Sequence, residues 1–216
     1  MTDQATRIIA IRHGETDWNV ATRIQGQLDI ALNDAGRRQA RRLADALAGE
    51  GLDAVYSSDL ARARETAQAV AGKSGLELST DSGLRERGFG VFEGLTFAEI
   101  EQRYPDDARR WRQRDAHFGP GGGETLSAFF DRVVASVAAL AARHRGQHIA
   151  VVAHGGVLDA LYRAATRVPL DSPRTWQLGN ASINRLLASD AGLTLVGWAD
   201  SFHLEDTALD EAGEPA

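Results

Sequence analysis

Arg7-Ile8-Ile9-Ala10-Ile11-Arg12-His13-Gly14-Glu15-Thr16 is the stretch on which the reading of this chain turns. Ile8 to Ile11 run without a polar interruption, which predicts a short buried strand. The apolar run stops at Arg12, so Arg12, His13, Gly14 and Glu15 stand at the carboxyl end of that strand. A second stretch repeats the plan, with Ile149-Ala150-Val151-Val152-Ala153 leading into His154-Gly155-Gly156. Two buried strands that each end in His-Gly form the frame for everything between them.

Outward from that frame, helical and extended patterns alternate. Asp34 to Ala48 carries Ala40, Leu43, Ala44 and Leu47 on one face, with Asn33 or Asp34 as cap and Gly49 as stop. Ala54-Val55-Tyr56 is a strand running into Ser57-Ser58, and a helix from about Leu60 to Ala71 follows, with Ser58 or Asp59 in position to cap it. Leu76 to Ser79 suits an edge strand, Gly83 to Leu95 a loop, and Thr96 to Tyr104 a short helix. Pro105 to Gly123 is polar and irregular apart from a turn around Ala108 to Arg112. Glu124 to Arg145 keeps helical spacing through Phe129, Val133, Val137, Leu140 and Ala141. Val157 to Ala165 is helical, and Ile183 to Leu187 and Leu193 to Trp198 are late strands. The acidic end from Asp206 to Ala216 reads as frayed. Strands alternating with helices predict a three-layer α/β/α domain with a mostly parallel central sheet, one domain over 1–216 without linker or repeat. In such sheets ligands bind beyond the carboxyl ends of the strands, so His13 and His154 face one crevice.

Bulk composition narrows the function classes. A net charge of -6 argues against a nucleic-acid partner. Without a single cysteine, disulfides, thiolate nucleophiles and cysteine zinc sites are excluded. Met1-Thr2-Asp3-Gln4 is no basic leader, and no apolar run is long enough to span a bilayer, so the expectation is a cytoplasmic protein without a membrane partner.

The polar residues at the strand ends are suited to phosphate. A lone histidine there is usually an orienting group; this one has company. Arg12 offers a fixed fork of donors, Gly14 lets the backbone approach a ligand, and a neutral imidazole can attack phosphorus and become a phosphohistidine. In Ser57-Ser58-Asp59-Leu60-Ala61-Arg62-Ala63-Arg64, Arg62 lies near a helix start that favours an anion. Arg64, two residues on, cannot share its face and reads as exposed. In Arg85-Glu86-Arg87-Gly88-Phe89-Gly90 an acid within a glycine-rich loop can protonate a leaving oxygen and later take a proton from water. The glycines after His154 open a helix whose N–H groups favour an anion.

These four clusters, in this order and spacing, resemble the histidine phosphatase superfamily, also called phosphoglycerate-mutase-like, over about Arg7 to Leu204. The resemblance implies that His13 accepts the phosphoryl group and that Glu86 is the proton donor. It implies a phosphate pocket of Arg12, Arg62 and His154, assisted by Asn19, and the binding set is completed by Gly155, Gln25 and Gly26. Glu93 falls on a variable position and is left out. Gly121-Gly122-Gly123-Glu124-Thr125 resembles the family's loop before its long helix, with Thr125 or Glu124 near the helix start. The implied reaction is two-step hydrolysis of a small phosphorylated metabolite, with no metal and no cofactor, because the arginines carry the positive charge.

The alternative inside the family is a phosphoglycerate mutase, an isomerase that would need 2,3-bisphosphoglycerate. The short stretch from Glu86 to Gly123, and Gly156 where mutases tend to have asparagine, favour the phosphatase, since an open site admits water. A non-catalytic phosphate-binding domain is the remote alternative, against which the intact positions argue. Other motifs fail on inspection. Gly72-Lys73-Ser74 lacks the earlier glycine of a phosphate loop, having Ala67 there, and it ends a helix. Gly119 to Gly123 follows no strand, no G-x-S-x-G elbow is present, and arginines beside His13 and His154 would repel zinc.

Substrate choice falls to a lid-like segment, about 96–123. Its Arg103, Arg109, Arg110, Arg112 and Arg114 either meet a second anionic group or form a solvated face. Trp111 and Phe118 either touch an organic group or anchor the lid. Trp176, Trp198 and Phe202 supply an apolar patch compatible with a homodimer.

Overall fold

The isoleucine run forms β1 (Thr6–Arg12), whose neighbours are β4 (His148–Ala153), parallel, and β5 (Ile183–Ser189), antiparallel. This and all that follows comes from a computed structural model, which describes residues 5–205; the acidic end read as frayed lies outside the described residues. Outside β4 lie β2 (Ala54–Ser57) and β3 (Leu78–Thr80), and outside β5 lies β6 (Gly192–Asp200), giving the order β3-β2-β4-β1-β5-β6. The first four are mutually parallel, and β5 and β6 form an antiparallel hairpin. The sheet is therefore mostly parallel, as its sequence pattern requires.

The two faces of the sheet explain the layers. Alternate residues point to opposite sides of a strand. Ile9, Ile11, Val55, Ala150 and Val152 pack on α2 (Asp34–Leu47) and α3 (Ala61–Ser74). Ile8, Ala10, Ile149, Val151 and Ala153 pack on α6 (Leu126–Arg143) and α7 (Gly155–Thr166). Every residue of β4 is buried because both faces are covered. Each such aliphatic side chain contributes roughly 1.5–3 kcal/mol.

The register then fixes the site. Ile11 pairs with Val152 and Arg12 with Ala153, so the next residues of the two strands, His13 and His154, emerge side by side. A short α1 (Asp17–Val20) follows His13, started by a capping box between Thr16 and Asn19.

At the helix starts the structure selects among the expected caps and in one case replaces them. α3 starts after Leu60 with no side-chain cap of its own; Asp29 from a distant loop accepts from the Ala61 N–H at 2.6 Å instead. Asp59 is drawn away by Arg85. Thr125 caps α6, while Glu124 pairs with Arg132. The stretch read as irregular contains α5 (Pro105–Arg112), directly after α4 (Phe97–Arg103). Only Ala108 of α5 is buried, so no apolar stripe announces the helix; proline at its start and its charge order, acids first and arginines last, favour it instead. Phe92, Ile100, Ala108 and Phe118 form a small third core beneath α4 and α5, so Phe118 anchors the segment. Among the described residues no helix is long and apolar enough to cross a membrane.

Candidate active site

His13 leaves the sheet with its N–H still bonded to the Ala153 carbonyl at 2.9 Å, and it is 3% exposed. Its Nδ1 lies 2.7 Å from the Gly14 carbonyl oxygen. A carbonyl only accepts, so Nδ1 carries the proton and Nε2 keeps the lone pair. Burial, then the charges of Arg12 and Arg62, holds the imidazole well below the usual histidine range, and the ring is neutral. Asn180 Nδ2 donates to the His13 carbonyl at 2.9 Å and the Gly14 carbonyl at 3.2 Å, and Thr66 Oγ1 accepts from the Gly14 N–H. The backbone beneath the ring is thus held from two sides.

The ring of His154 lies 5.2 Å from that of His13 and is fully buried. Its Nε2 is 2.8 Å from Ser58 Oγ, and its Nδ1 has no partner. Burial, followed by Arg62 and His13, pushes its pKa well below the usual value.

Arg62, also fully buried, donates to the Leu28 and Gly26 carbonyls at 2.8 and 2.7 Å and leaves Nε unpartnered. Burial lowers its pKa to about 10, against the favourable charge of Glu86. Those carbonyl bonds shape the loop that carries Gln25 and Gly26. Gly26 has φ 52°, and a Cβ there would meet Glu93, which holds the same loop by accepting from the Gln27 N–H at 3.0 Å. Gln25 is buried, with Oε1 unpartnered. Arg12 donates to the Leu178 carbonyl and has a buried Nε without a partner. Three nitrogens of one neighbourhood, the donors Arg12 Nε and Arg62 Nε and the ring atom His154 Nδ1, are therefore buried and without a partner, where native interiors leave few such groups.

Glu86 approaches from the loop after β3. Its Oε1 accepts from the Arg87 N–H at 2.8 Å and its Oε2 from the Gly156 N–H at 2.9 Å. Gly156 makes this possible, because a Cβ there would sit 2.2 Å from Oε1. The Glu86 carbonyl accepts from Gln27 Nε2 at 3.1 Å.

The remaining expected residues are placed as follows. Gly155 opens α7 beside Arg12. Asn19 is half-buried, and its Oδ1 accepts from the Thr16 N–H and Oγ1, so this oxygen caps α1. Arg64 is exposed, as its spacing from Arg62 requires. Ser58, Asn180 and Gln27 were not foreseen: Ser58 had a signal, a polar residue at the carboxyl end of β2, and the other two belong to no motif. A cleft of about 580 Å³ is lined by Arg12, Gly155, Gly156, Arg174, Trp176 and Leu178, of which Arg12 and Gly155 are the chain neighbours of His13 and His154. Among the described residues no three His, Cys, Asp or Glu side chains are grouped to hold a metal ion.

The chain was also compared with known proteins. A sequence model of the histidine phosphatase superfamily (branch 1) matches residues 8–201. The chain is similar to the "Phosphoglycerate mutase-like protein 4" of Arabidopsis thaliana, at 41% identity over 95% of this chain and 90% of that one. It is 36% identical to the "Metal-independent phosphoserine phosphatase" of the same plant, over 97% of this chain and 88% of the relative. Among solved structures, a mycobacterial glucosyl-3-phosphoglycerate phosphatase complexed with VO3 superposes with a TM-score of 0.81 at 35% identity, over 90% of this chain and 99% of that one.

Proposed function

The chain belongs to the histidine phosphatase superfamily, branch 1, and we propose that its phosphatase chemistry runs through His13 as nucleophile, with Glu86 as proton donor and acceptor. The observation that carries this is the state of His13. It is buried and neutral, its Nδ1 proton is tied to the Gly14 carbonyl, and unsatisfied donors surround it.

In the first step the substrate phosphate takes up the free donors of Arg12, Arg62 and His154. The lone pair on His13 Nε2 attacks phosphorus, the ester P–O bond breaks, and Glu86 in its protonated form gives its proton to the departing oxygen. In the second step water attacks the phosphohistidine and returns a proton to the Glu86 carboxylate. The N–P bond breaks back onto Nε2 and inorganic phosphate leaves. Positioning and charge supply most of the rate, so the buried guanidinium groups do the work that a metal ion does in other phosphatases. Gln25, Gly26, Asn19 and Gly155 shape the pocket wall, and one domain carries the whole site.

The substrates in the names of two relatives, phosphoserine and glucosyl-3-phosphoglycerate, both carry a carboxylate close to the phosphoester. We take the substrate of this chain to be a small phosphomonoester of the same kind, hydrolysed in the cytoplasm without metal or cofactor. The mutase-like name of another relative keeps isomerisation as the second reading. The test is phosphate release from p-nitrophenyl phosphate and a panel of phosphomonoesters with EDTA present, comparing the protein with His13→Ala. Release that vanishes in the variant is expected. Isomerisation of 3-phosphoglycerate primed by 2,3-bisphosphoglycerate, without free phosphate, would overturn the hydrolytic reading, and release that persists in the variant would overturn the role of His13.

A further inference from the structure

The segment between α7 and β5 has little regular structure, yet it is pinned on both sides of Arg174. Before it, Arg163 donates to the carbonyls of Pro169 and Ser172, the latter at 2.9 Å, and Arg114 donates to the Leu170 carbonyl at 2.7 Å. Both arginines also hold the Asp159 carboxylate, which is 10% exposed. After it, the Trp176 ring stacks on Tyr162 at 4.0 Å between centroids, with the Arg163 guanidinium 4.8 Å from the Trp176 centroid. Leu178 is fixed by Arg12. A loop anchored this densely holds its residues against one wall of the cleft.

Arg174 lines this cleft together with Arg12, Gly155 and Gly156, and the two glycines carry no side chain into the space. It forms no hydrogen bond or ion pair with any described residue. None of the residues lining this cleft is acidic, and Glu86, the acid that lies against Gly156, is already held by the Gly156 and Arg87 N–H groups. The lid arginines differ: Arg109, Arg110, Arg112 and Arg114 are paired with Asp106, Asp115, Glu101 and Asp159. The charge of Arg174 also reaches Arg12, whose pKa burial lowers most, Glu86 raises, and Arg174 lowers by the smallest of the three effects. Two cations that repel across an empty cleft are complementary to a ligand with two separated anionic groups.

We propose that Arg174 is a specificity residue that receives a carboxylate of the substrate while Arg12, Arg62 and His154 hold its phosphate. A single guanidinium fork fits a carboxylate bidentately, and one added positive charge matches one carboxylate charge. Trp176, held by Tyr162 and Arg163, lines the same cleft beside Arg174. The proposal rests on the phosphatase reading above and names where the second anion of such a substrate is bound.

The test uses two matched pairs of esters that differ in the carboxylate: 3-phosphoglycerate with glycerol 3-phosphate, and O-phosphoserine with phosphoethanolamine. The quantity read is the ratio of kcat/KM within each pair. The unaltered protein should prefer the carboxylate member, and Arg174→Ala should lower that preference about 10-fold, mainly through KM, the scale of one charged hydrogen bond. Arg174→Lys should recover part of it, which a purely structural role would not give. A preference unmoved by Arg174→Ala, or no preference in the unaltered protein, overturns the proposal while leaving the phosphatase reading intact. No phosphate from any ester would instead overturn that reading and this proposal with it.

Discussion

Replacing Gly156 by alanine should damage the enzyme chiefly through Glu86. The added Cβ would lie 2.2 Å from Glu86 Oε1, and on its other side 3.2 Å from the Phe129 ring. Phe129 is buried in the α6 core and cannot yield. The carboxylate therefore retreats by about 1 Å, a displacement that costs on the order of 10²-fold in a positioned catalytic group. The retreat also strains the 2.9 Å bond that the Gly156 N–H donates to Oε2. The loss should fall on esters whose leaving oxygen needs a proton. Glycerol 3-phosphate should lose about 100-fold in kcat/KM, against a general-acid contribution of about 10²–10⁴. p-Nitrophenyl phosphate, whose nitrophenolate departs without help, should lose much less in its phosphorylation step. Steady-state phosphate release on both esters measures this, with thermal unfolding as control, and Glu86→Gln completes the cycle. If Gly156→Ala acts through Glu86, the double variant is little worse than Glu86→Gln alone. Equal losses on both esters, or additive losses in the double variant, would refute the reasoning.

Other perturbations probe the rest of the site. Thermal stability of the free enzyme should fall as pH drops below about 6.5, because the unfolded chain gains protons on histidines that the folded chain keeps neutral. His13 and His154 each contribute a slope of up to about 1.4 kcal/mol per pH unit across the window between 6.5 and their depressed folded values. Calorimetry of His13→Gln should show a shallower slope, and an identical one would count against a neutral buried His13. Inorganic phosphate and vanadate should raise Tm by occupying the unsatisfied donors, and Arg62→Ala should remove most of that rise in a thermal-shift titration. Ser58→Ala removes the partner of His154 Nε2 and should lower kcat about 10-fold and Tm by a few degrees, read from kcat and Tm on the same preparation.

What the sequence discloses and what it conceals divide along the range of the interactions. The strands ending at Arg12 and Ala153, the stripe of α2 and the core face of α6 are periodic signals, and each matches its element within a few residues. The His-Gly pairs were legible because a sheet register aligns strand ends, and Arg62 because a helix start is a local feature. Three kinds of feature were not legible. The cap of α3 comes from Asp29, more than thirty residues away. α5 has one buried residue and so no stripe. The carbonyl supports of the site, from Asn180 to Gly14 and from Arg62 to Gly26, join loops whose meeting depends on the finished fold. The arginine-rich 103–114 segment shows the same limit in reverse: its charges drew attention as a crowd, and the structure pairs four of them with acids.

The arrangement around His13 also reconciles two demands that conflict. A phosphate pocket needs cations, and a nucleophilic imidazole needs to be without its second proton. Placing Arg12 and Arg62 beside a buried His13 meets both, because burial first, and then the field that would attract the phosphate, keeps the proton off Nε2. In the proposed mechanism, positive charge would develop on the ring as Nε2 bonds to phosphorus and would be met at Nδ1 by the Gly14 carbonyl at 2.7 Å. A carbonyl dipole stabilises that charge less than a carboxylate would. On the proposed mechanism the phosphohistidine would accordingly form without becoming a trap. An Asn180→Ala variant loosens the same turn through the His13 and Gly14 carbonyls. It should slow formation of the phosphoenzyme more than its hydrolysis, because the ring must be aimed before the bond exists and is held by that bond afterwards. Rapid-quench kinetics separate the two steps, and an equal slowing of both would show that the turn does not aim the nucleophile.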